Sequence, residues 1–206
     1  MKKFSVILCL VFVAIMVFAL PVSAATPYQT YTYSINGTAL YSPDAYAPAK
    51  TVDSTYIGLF DKEVMAKMYP DLTADELKTK MVAFENSSDL QCDDLGNVYI
   101  ADTKNNRILV LDRYYKLSMI IETFANENGV KDSLANPAGV FVSPDKVVEG
   151  KVVPGKIYVC DTDNSRIVTF DRSGNFLSII GAPESEMIES SSVYKPVAVE
   201  IGRAHV

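Results

Sequence analysis

The sequence predicts an all-β fold assembled from copies of one four-stranded unit, and three observations predict it. Asn97-Val98-Tyr99-Ile100-Ala101-Asp102-Thr103-Lys104-Asn105-Asn106-Arg107-Ile108 returns 59 residues later as Lys156-Ile157-Tyr158-Val159-Cys160-Asp161-Thr162-Asp163-Asn164-Ser165-Arg166-Ile167. Short apolar runs alternate with turn-forming clusters around each copy, the pattern of an antiparallel meander. Ala135-Asn136-Pro137-Ala138-Gly139-Val140 recurs at the same spacing as Tyr194-Lys195-Pro196-Val197-Ala198-Val199, so a third unit begins near the end of the chain. Repetition on this scale means that one supersecondary unit is copied along the chain.

The chain opens on Lys2 and Lys3, an unbroken apolar run from Phe4 to Leu20, then Pro21 and the small residues Ser23, Ala24 and Ala25. This layout predicts a signal peptide over 1–24, cleaved after Ala24, and hence a secreted or cell-surface protein. The run is nearly long enough to span a bilayer, so the alternative is an uncleaved anchor, the one route by which the chain is expected to touch a membrane. Cys9 lies inside the run and leaves with it. Segment 25–60 is expected to be strand-like, because its stretch 26–46 is rich in Tyr and Thr, which suit extended strands. Within it, Asn36-Gly37 predicts a tight hairpin between 29–34 and 38–41.

Segment 61–81 breaks that pattern. Met65, Met68, Leu72, Leu77 and Met81 recur at roughly helical spacing, and Thr73 followed by Glu76 forms a capping box. Two short helices are expected, interrupted at Pro70 and lying on the main body, with a partner-binding helix as the alternative.

From 82 to 200 the signals are those of repeated blades. The first copy has strand-like runs at 89–92, 98–101, 108–111 and 117–121; the second has them at 139–142, 157–160, 167–170 and 176–180. The connection 143–155 is longer than its counterpart 93–97 and marks a surface insertion. The last six residues, 201–206, back-translate as ATC GGA AGA GCA CAC GTC, a common sequencing-library adapter. They are expected to be an artefact, with the natural sequence departing after Glu200.

The formal charge is −6, and −9 without the cations Lys2, Lys3 and Arg203. An acidic exported chain is a poor match for nucleic acid, whose binding depends on Lys and Arg neutralising phosphates. The only histidine is His205, inside the doubtful hexapeptide, which leaves histidine-dependent triads and zinc sites without a candidate. Cys92 and Cys160 could pair in an oxidising compartment, but each sits in an apolar strand, where an inert buried thiol is the commoner outcome. Asn36-Gly37-Thr38 and Asn86-Ser87-Ser88 fit the glycosylation pattern, one that arises often by chance.

A Pro at the start of each unit, followed by Gly-Asn-Val-Tyr-Ile-Ala-Asp-Thr-x-Asn-Asn-Arg-Ile-Leu-Val-Leu-Asp, resembles the NHL repeat of β-propellers. The resemblance covers 86–121 and 136–180 and touches 194–199. It implies an NHL-type β-propeller present in part, as two full four-stranded blades and the start of a third, with a short helical insertion. The functional expectation is a non-catalytic binding or scaffold module for a protein, glycan or small-molecule ligand, needing no cofactor. The alternative is a metal-dependent propeller hydrolase or lactonase holding calcium or zinc.

The recurring polar residues Asp102, Asn106 and Arg107, matched by Asp161, Ser165 and Arg166, divide these readings. As a site, the aspartates would be metal ligands or a catalytic pair. As structure, each Asp accepts hydrogen bonds from its own turn and meets the following Arg. Recurrence at the same turn of each unit favours structure, and no catalytic or metal residue is assigned.

Overall fold

The computed structural model describes residues 31–41, 50–183 and 193–201. The expected leader with Cys9, and residues 202–206 with His205, lie outside them. The chain divides into two compact units, Met1–Thr51 and Val52–Val206.

In the first unit, β1 (Tyr31–Tyr33) pairs antiparallel with β2 (Ala39–Tyr41), Thr32 standing opposite Leu40. The Gly37 N–H donates to the Ser34 carbonyl at 2.9 Å, and Gly37 adopts φ +78°, a conformation that costs glycine little. This is the hairpin that Asn36-Gly37 predicts.

The second unit begins with a correction. The expected strand-like character of 25–60 gives way to a one-turn helix, α1 (Ser54–Ile57), because the Asp53 carboxylate accepts the Tyr56 N–H and Gly58 closes the turn at φ +103°. Next come α2 (Lys62–Met68), capped by Asp61, and α3 (Ala74–Lys80), whose Thr73 and Glu76 form the reciprocal capping box. Two four-stranded antiparallel sheets make up the body. The first is β3 (Asp89–Cys92), β4 (Val98–Asp102), β5 (Arg107–Leu111) and β6 (Leu117–Ile121), in that spatial order. After the hairpin β7 (Thr123–Ala125) and β8 (Lys131–Ser133), the second sheet is built from β9 (Pro137–Val142), β12 (Ile157–Asp161), β13 (Arg166–Phe170) and β14 (Phe176–Ile180). Between β9 and β12 the hairpin β10 (Lys146–Val148) and β11 (Lys151–Val153) stands as a separate two-stranded sheet. The fold of the described residues is all-β, with short helices at one side.

Alternation along the strands decides what each face covers. Tyr99, Ala101, Ile108 and Val110 point from the first sheet toward Val140, Val159, Val168 and Phe170 of the second, and form one core with Phe124 and Leu134. Their neighbours Val98, Leu109 and Leu111 point the other way and are covered by Ile57, Leu59, Met65 and Leu77. The central strands β4 and β5 are therefore covered on both faces, which is why β5 reads as the continuous apolar run Ile108-Leu109-Val110-Leu111. Tyr69 and Lys80 fasten the helices to the sheet: both bond to Glu122, the tyrosine hydroxyl donating at 2.7 Å.

The repeat seen in the sequence is also a repeat of contacts. The Thr103 hydroxyl donates to the Pro137 carbonyl at 2.8 Å, and the Thr162 hydroxyl donates to the Pro196 carbonyl at 2.7 Å. Segment 193–201 therefore meets the second sheet as β9 meets the first. Gly139 leaves room for it, since a β-carbon there would stand 2.7 Å from the Val197 carbonyl oxygen.

Candidate functional site

Asp102 and Arg107 face each other at the end of the β4–β5 hairpin, both almost wholly buried. The Arg107 Nε donates to Asp102 Oδ2 at 2.7 Å, while its terminal nitrogens donate to the Lys80 and Val82 carbonyls. Asp102 also accepts from the Glu85 N–H and the Asn105 amide. In the second copy, Asp161 accepts from the Ala135 N–H, the Asn164 amide and Arg166 Nε. Arg166 there spans two carboxylates, reaching Asp132 at 2.7 Å, and the guanidinium holds the Asp132 carboxyl below its ordinary range. Asn106 and Ser165 occupy the same left-handed position, each at φ +54°. Asn106 also ties one unit to the next, its Oδ1 accepting the Asn136 N–H at 2.7 Å. The six residues thus assemble as two separate turn-and-pair units, and the carboxylates are spent on internal donors.

The open feature lies at the opposite end of the strands, beside the connection 143–155 that the sequence marks as a surface insertion. A cleft of two adjoining lobes, about 270 Å³ each, surrounds Asp93, Asp94 and Arg172. Phe141, Val142 and Pro144 give one lobe an apolar floor; Leu95, Asp145 and Pro154 border the other. Arg172 crosses between the sheets, donating to Asp93 Oδ2 at 2.7 Å and to the Ser143 carbonyl at 2.8 Å. The rim carboxylates of Asp94 and Asp145 lie 3.6 and 3.9 Å from the same nitrogen. Gly155 is required behind it, because a β-carbon there would fall 1.9 Å from the Ser143 oxygen. Arg172 and Asp93 are 79 positions apart. The visible signal was the repeated Asp-Arg pair at 112–113 and 171–172, which marks a turn without revealing what the arginine reaches.

Burial pushes the Asp93 carboxyl up, but hydrogen bonds from the Asn97 side chain and backbone, the Leu95 N–H and the Tyr99 hydroxyl outweigh it and hold the group below its ordinary value. A carboxyl depressed in the folded state contributes stability above its unfolded pKa of about 3.9 and loses it as pH falls through the folded value. Acid unfolding monitored from pH 5 downward is expected to show this slope, and Asp93→Asn is expected to flatten it. An unchanged slope would show that Asp93 is not the titrating group.

The cysteines depart from expectation in one respect. Cys160 is buried, and burial with the nearby Asp89 charge raises its thiol to about 11, but Cys92 is exposed beside the cleft. Strand β3 is half-buried at alternate positions and exposed at the others, and Cys92 stands at an exposed one. Both thiols are free.

No protein-family model and no curated protein matches the chain. Among the described residues, no group of three or more His, Cys, Asp or Glu side chains is placed to hold a metal ion, and no helix is long and apolar enough to cross a membrane.

Proposed function

We propose that this chain belongs to an exported NHL-type β-propeller whose role is non-catalytic: a rigid module that presents the cleft end of its sheets to a protein, glycan or small-molecule partner. The observation that carries the architecture is the recurrence of the Thr103–Pro137 link as Thr162–Pro196, which supports successive units stacking by one rule. The leader supports export. The non-catalytic reading is supported by the internal hydrogen bonds that occupy Asp102 and Asp161, the two carboxylates that a propeller hydrolase would have offered.

The test is Asp102→Asn, read by bound metal and by hydrolysis of ester and lactone substrates. The expected result is a lower melting temperature with no change in either functional readout. Stoichiometric calcium or zinc, lost in the variant together with esterase or lactonase activity, would overturn the proposal.

A further inference from the structure

The β10–β11 hairpin has exposed apolar side chains on both faces. Val147 and Val152 are paired across one face, and are 73% and 65% exposed. Val148 and Val153 share the other face with Lys146 and Lys151, and are 52% and 44% exposed. Neither strand pairs with a further strand among the described residues, so both hairpin edges are open as well. The first copy connects the corresponding strands with the short turn 93–97, so the hairpin is an addition that the sheet does not need. Exposed apolar surface of this kind marks an interaction site.

Charge and shape together identify the occupant. The hairpin carries two lysines and Glu149, a local positive excess on a chain of net charge −6. The cleft at its base has the complementary character: an apolar floor of Phe141, Val142 and Pro144, and three carboxylates, Asp93, Asp94 and Asp145, gathered around the single cation Arg172, which leaves the rim net negative. Tongue and cleft lie side by side on one molecule, so a two-fold operation brings each against its complement on a second copy and leaves neither half unfilled. We propose that two copies of this chain associate in this way, each placing its β10–β11 hairpin over the partner's cleft, valines on the apolar floor and lysines at the acidic rim. The inference rests on the reading of the cleft end as a binding face, and names a second copy as its partner.

Sedimentation equilibrium of the chain across the micromolar range tests it. A monomer–dimer equilibrium is expected, weaker at high salt because exposed charges contribute. Val148→Asp, on the face that carries Lys146 and Lys151 and half exposed in the single chain, is expected to weaken association by about tenfold or more. Lys151→Glu is expected to weaken it too, and Lys151→Glu with Asp94→Lys to restore it, because the swap rebuilds attraction across the interface. A chain that stays monomeric, a dimer indifferent to either single substitution, or a Lys151→Glu defect left unrepaired by the swap overturns the proposal. None of these outcomes alters the metal and hydrolysis readouts that decide the role proposed above.

Discussion

Arg107→Met is expected to destabilise the second unit by about 3–5 kcal/mol, the cost of stranding a buried carboxylate. Asp102 has no exposed surface and Arg107 only 2%, so water cannot replace the guanidinium. The substitution also leaves the Lys80 and Val82 carbonyls without their donor. Those carbonyls end α3 and begin the passage into the first sheet, so the damage should reach both the helices and the β4–β5 hairpin. The control is Lys104→Ala, which removes an ion pair to Glu85 whose side chains are each more than half exposed. That change is expected to cost under about 1 kcal/mol. Urea denaturation of the two variants measures the contrast, and equal effects would refute the assignment of Asp102–Arg107 as the buried anchor.

Phe124→Ala is the second large effect expected, about 3–5 kcal/mol from lost burial and the cavity left behind. Phe124 lies in the connecting hairpin β7–β8, yet it enters the core between the sheets. Its ring meets Phe170 edge-on at 5.2 Å and stacks on Phe176 at 5.4 Å. Arg166 approaches the ring at 5.7 Å, so the change should also loosen the Asp132–Arg166–Asp161 group. A double-mutant cycle between Phe124 and Phe170 is expected to give about 0.5–1.5 kcal/mol of coupling. Coupling near zero would place Phe124 outside the shared core.

The strands of both sheets were legible because local pattern and tertiary demand agree there: short apolar runs, turn residues and a recurring motif all point to the same meander. The helices were legible for a similar reason, with Thr73 and Glu76 marking a start that the backbone uses. Three features escaped. Helix α1 depends on a single capping aspartate and a left-handed glycine, inside a segment whose strand-like reading was extended from the Tyr- and Thr-rich stretch before it. Hairpin β10–β11 turns at Glu149-Gly150, both at positive φ, where glutamate is a weak turn signal beside the asparagine of Asn36-Gly37. The cleft depends on Arg172 meeting Asp93, a pairing that sequence separation hides. Of the candidate site, the Asp–Arg pairs were legible as recurring residues and the connection 143–155 as a surface insertion, while the hairpin it forms and the cleft it borders were not.

The links between the two sheets fall at both ends of β4: Arg172 reaches Asp93 before the strand, and Thr103 reaches Pro137 after it. Two sheets joined at one end would retain a hinge, and packed apolar faces alone would permit shear. Anchored at both ends around an interdigitated core, they have no remaining low-cost axis of relative motion. Closure of one sheet on the other would have to break these links, so the loops and the projecting hairpin are the parts of the proposed binding face that can adapt at least cost.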